Sequence, residues 1–245
     1  MPSMRQHFIN DNMLREYWSM ENALWGAGGQ SAPAHLSLNG GILNAAAGYG
    51  YSETCFRFDG SNDYLQTTTA FPTSSSAQNY TVMLWIRTST APAETVWPFS
   101  MSSTGQNQTT RNAAFDITTG GLIEAYNFDG AAKKATSVRK INDGLWHCVA
   151  CVFDAVNVHL YVDGVVIQKT ATTTTRTAYN IPVWSMADAG HAYFNGDIGE
   201  TGIWARALSA NEILEYFENA SRPLPNPISR AVPRLPKCFV SGIIC

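Results

Sequence analysis

Residues 145–164 decide the fold: Leu145-Trp146-His147-Cys148-Val149-Ala150-Cys151-Val152-Phe153, then Asp154-Ala155-Val156-Asn157, then Val158-His159-Leu160-Tyr161-Val162-Asp163-Gly164. The first block is almost continuously apolar and too short for a buried helix. The second breaks it with turn formers. The third alternates and ends on Asp-Gly, after which Val165-Val166-Ile167 resumes. Short β-branched and aromatic runs punctuated in this way form strands, here a meander of three with tight turns.

The same pattern extends outward. In Tyr80–Thr88, Val82, Leu84 and Ile86 share one face, and Met83, Trp85 and Arg87 share the other. Both faces are mostly apolar, as in a central strand covered on both sides. Thr54–Phe58 ends at the turn signal Asp59-Gly60, and Asp63–Gln66 resumes. Val96–Met101, Ala113–Ile117 and Leu122–Phe128 follow, the last two split by Gly120-Gly121 as in a hairpin. Gly196–Trp204 is the expected last strand and Met13–Met20 the first. Gly26–Gly50 lacks periodicity and is expected to be a long loop of the functional or interface kind.

One helix is marked by Ser209-Ala210-Asn211-Glu212, which fits a capping box, followed by the apolar stripe Ile213, Leu214, Tyr216 and Phe217. It ends before Arg222-Pro223. Residues 221–245 carry five of the eleven prolines, so they form neither regular helix nor central strand. This tail holds Arg222, Arg230, Arg234 and Lys237 without an acid and ends in Phe239–Ile244. It reads either as solvated basic coil or as an arm that docks on a partner. The expected organisation is an arm over 1–12, one domain over 13–220 and the Pro-rich tail over 221–245.

Of 245 residues, 45% are apolar and 14% charged, against a usual charged share of about 25%. The core is therefore ample, and the surface is covered largely by Ser, Thr, Asn, Gln and Gly. Net charge is −3 and the isoelectric point near 5.9, which gives phosphates no basic field and argues against nucleic acid as a partner. No apolar run is long enough to span a membrane as a helix. The start Met1–His7 lacks an apolar signal core, so secretion by signal peptide is not expected; release within a particle is compatible with this.

The cysteines at 55, 148, 151, 238 and 245 are odd in number and irregular in spacing, unlike a disulfide framework. Cys148 and Cys151 fit a CxxC pattern, but on a strand they point to opposite faces and share no metal. Buried thiols are expected, with Cys238 and Cys245 free to pair with each other or with a neighbouring chain.

Several segments, taken in order, carry a resemblance. Phe58-Asp59-Gly60-Ser61-Asn62-Asp63-Tyr64-Leu65 resembles the FDG-x-x-D-Y opening of laminin-G-like and pentraxin-like jelly rolls. Tyr80–Arg87 is similar to their FTVSAWIK strand, Leu145–Ala150 to WHHVA, Leu160–Gly164 to LYVDG, Phe194–Glu200 to FNGDIDEV, and Ala205–Ile213 to NRALSAEEI. Leu14–Glu21 resembles the LVAYWSFDE start. Together they cover about residues 13–218. The resemblance implies an all-β, concanavalin A-like jelly-roll sandwich of two antiparallel sheets, with one short C-terminal helix and irregular terminal arms. It also implies a structural calcium held by Asp197, the Gly60 carbonyl and Glu21. Two departures bear on this site: Ser19-Met20-Glu21 replaces the usual acid pair, and Gly199 stands where many members carry a second aspartate. Asp197 has an alternative role in capping turn amides.

The fold also hosts glycoside hydrolases and polysaccharide lyases. A retaining hydrolase needs two carboxyl groups about 5–5.5 Å apart, and the E-x-D-x-E triplet of the laminarinase-like branch does not occur here. Asp197 and Glu200 are three apart, so on a regular strand they face opposite ways. His147 reads as a hydrogen-bonded structural histidine and His159 as a sheet-surface residue. No Ser/His/Asp signature, P-loop or dinucleotide fingerprint is present.

The chain is thus expected to be non-catalytic. Glycan contact falls to aromatics near strand ends, namely Trp97, Tyr126, Trp184 and Tyr193, whereas Trp85, Trp146 and Trp204 are expected in the core. The leading expectation is a structural or adhesion subunit of a larger assembly, namely a bacteriophage virion component such as a capsid decoration, fibre or tail protein, or a protein at an extracellular surface. It would be oligomeric, hold virion neighbours through its two arms, and contact cell-surface glycans. The alternative is a free lectin-like carbohydrate-binding protein, and a glycan hydrolase or lyase ranks third.

Overall fold

The computed structural model describes residues 14–18, 36–39, 42–49, 52–68, 79–102, 111–128, 132–154, 156–171, 181–186 and 192–221. In chain order the strands are β1 (Leu14–Trp18), β2 (Leu36–Asn39), β3 (Ile42–Tyr49), β4 (Ser52–Asp59), β5 (Tyr64–Thr67), β6 (Asn79–Arg87), β7 (Val96–Ser102) and β8 (Arg111–Ile117). They continue with β9 (Leu122–Phe128), β10 (Ala132–Lys140), β11 (Trp146–Asp154), β12 (Asn157–Val162), β13 (Val165–Ala171), β14 (Ile181–Met186) and β15 (Asn195–Trp204), and the helix α1 (Ala210–Ser221) closes the order.

Two antiparallel sheets form the sandwich. The first runs β13-β12-β11-β6-β15-β4-β3, with β1 also pairing with β15. The second runs β10-β9-β8-β7-β14-β5-β2. The inward faces meet in one core that includes Phe56, Phe58, Leu84, Ile86, Phe99, Phe115, Val149 and Trp184. Each such side chain contributes about 1.5–3 kcal/mol on burial.

The outward face of the first sheet is also covered. Met83, Trp85, Cys148, Ala150, Val152, Tyr161 and Trp204 pack against Leu208, Ile213, Tyr216 and Ala220 of α1 and its approach. This explains why β6 and β11 are apolar on both sides: one face meets the second sheet, the other the helix. The sequence placed α1 at an edge or end of the sandwich, whereas it lies across a face. The capping box forms as read, with Glu212 N donating to Ser209 Oγ at 3.3 Å and Ser209 N donating to Glu212 Oε2 at 2.8 Å. Hydrogen bonds from Arg206, joined by those from Ser209, lower the Glu212 carboxyl to about 2 against the opposing effect of burial.

The meander of residues 145–167 is β11, β12 and β13, in register from Val149↔Val162 onward. Cys148 and Cys151 lie on opposite faces, one under the helix and one between the sheets. Cys55, Cys148 and Cys151 are buried and outside any disulfide, and burial, aided by Asp197, pushes the Cys55 thiol up to about 12. Cys238, Cys245, the arm 1–12 and residues 222–245 lie outside the described residues.

Several strands depart from the sequence reading. The stretch 26–50 holds β2 and β3 where a loop was expected. β3 runs Ile42-Leu43-Asn44-Ala45-Ala46-Ala47-Gly48-Tyr49, low in β-formers, and takes its order from pairing with β4 at the sheet edge. β10 and β14 were not anticipated; β10 is largely polar because it is the edge of its sheet.

β15 carries the departure with most bearing on the site. Ile198 pairs with Ile86 and Thr201 with Leu84, so three steps on β15 match two on β6. This β-bulge spans Gly199 and brings Asp197 and Glu200 to the same outward face, contrary to the alternation expected of a regular strand. Each carboxylate is engaged separately. Glu200 Oε2 accepts from Tyr216 OH at 3.0 Å, and Tyr216 OH accepts from Trp85 Nε1 at 2.8 Å, tying the bulge to the helix.

Candidate functional site

At one end of the sandwich the β4–β5 turn, the β6–β7 loop and the start of β15 meet. Asp59 N donates to Asp63 Oδ2 at 3.0 Å, and Ser61 N donates to Asp59 Oδ1 at 2.7 Å, which fixes the turn. Gly60 has φ 79°, and a Cβ there would lie 2.9 Å from Asn195 Cβ, so the turn needs glycine. Asn195 Nδ2 donates to Asp59 O at 2.9 Å, and Thr88 Oγ1 donates to Asn195 O at 2.7 Å. Thr88 Oγ1 also accepts from Thr90 N at 3.1 Å, shaping the loop that leads to Glu94.

These contacts frame a cavity of about 390 Å³ lined by Gly60, Thr90, Pro92, Glu94, Tyr193 and Asn195 among others. Its size falls in the range of small-ligand sites, about 300–1,000 Å³. The lining offers the half-buried Tyr193, a carboxylate, an amide and a hydroxyl. An aromatic ring with several fixed hydrogen-bond partners suits a hydroxyl-rich ligand.

One pleat along β15 from Asn195, Asp197 is buried between two arginines. Arg57 Nε donates to Oδ1 at 2.8 Å and Arg57 Nη2 to Oδ2 at 3.3 Å. Arg87 Nε and Nη2 donate to Oδ2 at 2.9 and 2.6 Å. Arg87 lies 4.9 Å over the Trp146 ring. The Asp197 bonds and charge raise Arg57 above its ordinary value. Calcium takes six to eight oxygen ligands about 2.3–2.6 Å away. Here both carboxylate oxygens are taken and two positive charges stand where a cation would approach. The described residues do not fit a calcium ion at Asp197, and among them no group of three or more His, Cys, Asp or Glu is arranged for a metal. Glu21 lies outside the described residues, and Gly60 belongs to the cavity wall. The turn-capping role considered for Asp197 is filled by Asp63 instead.

The glycan-contact aromatics separate cleanly. Trp184 is 0% exposed, edge-on to Phe99 and donating to Thr201 Oγ1 at 3.1 Å; Trp97 is 1% exposed and packs with Val183. Neither offers a ring face for stacking, which corrects the expectation for both. Tyr126 sits on β9 opposite Ala114 and Lys134, with its ring outside the described set. Tyr193 is the member that reaches the cavity. Trp85 and Trp204 are in the core as read, while Trp146 is half-buried beneath Arg87. Glu94, Asn195, Arg57 and Arg87 were missed; only the outward parity of Arg57 and Arg87 on apolar strands hinted at a shared partner.

Two other clusters carry chemistry-bearing groups. His147 Nδ1 lies 2.8 Å from Asp163 Oδ2 and Nε2 lies 3.2 Å from Asp143 Oδ1; hydrogen bonding to Asp163, opposed by burial, raises the imidazole above its ordinary value. His159 pairs with Asp154 at 2.6 Å on the sheet surface. On the outer side of the second sheet, Asp116 and Glu124 are cross-strand neighbours. Lys134 Nζ bridges them at 2.8 and 2.6 Å. Burial works against that ammonium, but the two carboxylates outweigh it and raise Lys134. Lys134 thus ties both carboxylates into one ion-paired cluster.

The two sheets and the helix across one of them define a jelly-roll sandwich with a cavity at one loop end. Residues 59–214 match the laminin-G-like family model of the concanavalin A-like lectin/glucanases superfamily, and the chain belongs to that family. No curated protein matches the sequence. Among solved structures, domain 4 of the arabinanase AbnA from Geobacillus stearothermophilus, in complex with arabinotriose, is similar at TM-score 0.64 and 19% identity, over 83% of this chain and 97% of that one. The binding domain of botulinum neurotoxin DC, in complex with rat synaptotagmin II, gives TM-score 0.67 at 13% identity over 86% of this chain and 52% of its own. Botulinum neurotoxin type C, whose cell entry is dependent upon interaction with two ganglioside molecules, gives 0.68 at 12% over 88% and 53%. The chain thus spans about half the length of the toxin structures. At these identities the likenesses establish the fold.

Proposed function

We propose that this protein is a non-catalytic, lectin-like carbohydrate-binding module whose ligand enters the cavity at Tyr193. The observation that carries this is the convergence of Tyr193, Asn195, Thr90 and Glu94 on a cavity of about 390 Å³ in a sandwich of the lectin/glucanase superfamily. The arabinotriose complex of a similar domain, matched over nearly its whole length, supports oligosaccharide as the ligand class. A non-catalytic role is supported by the cavity wall, where Glu94 is the one carboxylate among the described lining residues whereas glycoside hydrolysis takes a pair, and by the commitment of Asp197 to two arginines, Glu200 to Tyr216, and Asp116 with Glu124 to Lys134. Titration calorimetry against a panel of oligosaccharides tests the reading. Binding in the micromolar to millimolar range, abolished by Tyr193→Ala with the thermal midpoint unchanged, is the expected result. Turnover of the sugar, or binding indifferent to Tyr193→Ala, would reject it.

A second reading concerns where the module works. A subunit of a larger assembly, such as a phage capsid decoration, fibre or tail protein, is supported by the low-charge surface and by exposed apolar side chains at a sheet edge. Val138 on β10 and Val165 on β13 are 79% and 54% exposed and line one groove of about 520 Å³. Light scattering on the full-length chain, with Val138→Lys alongside, is the test. A defined oligomer that the substitution dissolves favours the assembly role; a monomer in both cases removes self-assembly through this edge.

A further inference from the structure

Glu94 is the one charged side chain among the described residues that line the cavity, and it is exposed. It comes from the β6–β7 loop, whose course is set where Thr90 N donates to Thr88 Oγ1 at 3.1 Å. Its neighbours in the wall, Ala91, Pro92 and Ala93, are small and uncharged. The other acids at this end of the sandwich are turned to backbone amides. Asp59 accepts from Ser61 N at 2.7 Å, and Asp63 accepts from Asp59 N at 3.0 Å. Among the described residues, Glu94 has neither a basic partner nor a hydrogen-bond donor.

The remaining polar groups of the wall lean the same way. Thr88 Oγ1 spends its proton on Asn195 O at 2.7 Å, and Asn195 Nδ2 spends one of its two on Asp59 O at 2.9 Å. What the wall keeps for a ligand is therefore rich in acceptors, the Glu94 carboxylate and the Asn195 amide oxygen, and carries negative charge. An ammonium group is the match, since it is a triple donor with no acceptor. It adds charge attraction to the hydrogen bond that a hydroxyl would make with the same carboxylate. A concave wall of one sign also concentrates the opposite charge from solution and repels its own, so uronates and sulfate esters are disfavoured here. Tyr193, half-buried in the same wall, has an apolar body suited to the face of a sugar ring.

We infer that the cavity takes an amino sugar, a 2-amino-2-deoxyhexose whose ring lies against Tyr193 and whose ammonium meets Glu94. Glu94 is then the residue that sets specificity. This rests on the carbohydrate-binding reading and narrows it to basic sugars. The test is calorimetry at pH 6, where sugar amines are protonated. The probes are trimers of glucosamine and of galactosamine, each beside its N-acetylated and its unsubstituted glucose or galactose counterpart. Wild type, Glu94→Gln and Tyr193→Ala are compared, and a thermal melt verifies that each variant keeps the fold. At least one amino trimer should bind fivefold or more tightly than both of its counterparts. Glu94→Gln, which keeps the shape and removes the charge, should erase that preference and leave the unsubstituted trimers as they were. Tyr193→Ala should abolish binding of all probes. Equal binding of amino and unsubstituted trimers, tighter binding of the N-acetylated form, or a preference that survives Glu94→Gln overturns the inference while leaving the carbohydrate reading intact. Binding of an amino trimer that survives Tyr193→Ala puts the ammonium outside the cavity and overturns it as well. If the amino trimers fail while another sugar binds, the inference falls alone; if no sugar binds, both fall together.

Discussion

Asp197 illustrates how much one side chain's partners decide. Its residue type and its place in the Asn195-Gly196-Asp197-Ile198 motif were legible in the sequence, and they suggested a metal. Its partners are arginines from strands 140 and 110 residues away in the chain, which no local pattern reveals. We expect the thermal midpoint of the protein to be indifferent to both chelator and added calcium. Asp197→Asn should destabilise by about 3 kcal/mol, because it leaves two cations facing each other over a neutral amide; denaturant melts would show it. Trp184 and Tyr193 give the complementary lesson. Sequence position near a strand end nominated both for sugar contact, but pleat parity turns Trp184 inward and leaves Tyr193 at the cavity. Trp184→Ala should cost about 3–5 kcal/mol in denaturant titration, whereas Tyr193→Ala should leave the melt nearly unchanged. His147 adds a pH dependence. Its imidazole is raised above the ordinary value, so its pairs with Asp163 and Asp143 stabilise the fold fully below about pH 6.5. That contribution is lost as pH rises through the higher folded value. Thermal midpoints across pH 5–9 should fall over this interval in the wild type and run flatter in His147→Gln.

Among the elements, those with a local signature were readable and those ordered by a neighbour were not. β6 and β11 announce themselves by apolar runs, and α1 by the Ser209–Glu212 box. β3 and β10 are alanine- or lysine-rich edge strands, whose extended state is supplied by the hydrogen bonds of β4 and β9. β14 is short, begins Ile181-Pro182 and bends at Ser185, where φ is 57°. Where α1 lands was also illegible, since amphipathicity gives a helix an apolar stripe and not the surface it meets. Its cap is a measurable contribution: Ser209→Ala should lower stability by about 1 kcal/mol through loss of the amide partner. A sharper dependence is expected at Gly164, where φ is +80° and a Cβ would come within 3.0 Å of Leu214 and Phe217. Gly164→Ala should loosen the helix from the β12–β13 turn, seen as faster hydrogen exchange over 210–221.

For the molecule as a whole, the family and the two-sheet sandwich follow from motif order, which is why the architecture was legible while its ligand end was not. The cavity draws on four separated stretches, at 60, 88–96, 117 and 192–195, and only assembly of the sandwich brings them together. That same assembly has a consequence in time. β15 is the last strand of the described chain, yet it lies between β6 and β4 and also pairs with β1, which is the first. While the polypeptide is emerging from the ribosome, the first sheet has no centre until residue 204 has been made. Its two halves, β13-β12-β11-β6 on one side and β4-β3 on the other, wait with open edges. Such wholly non-local closure predicts slow folding, a need for protection of nascent edges, and aggregation of any chain whose synthesis stops before Asn195.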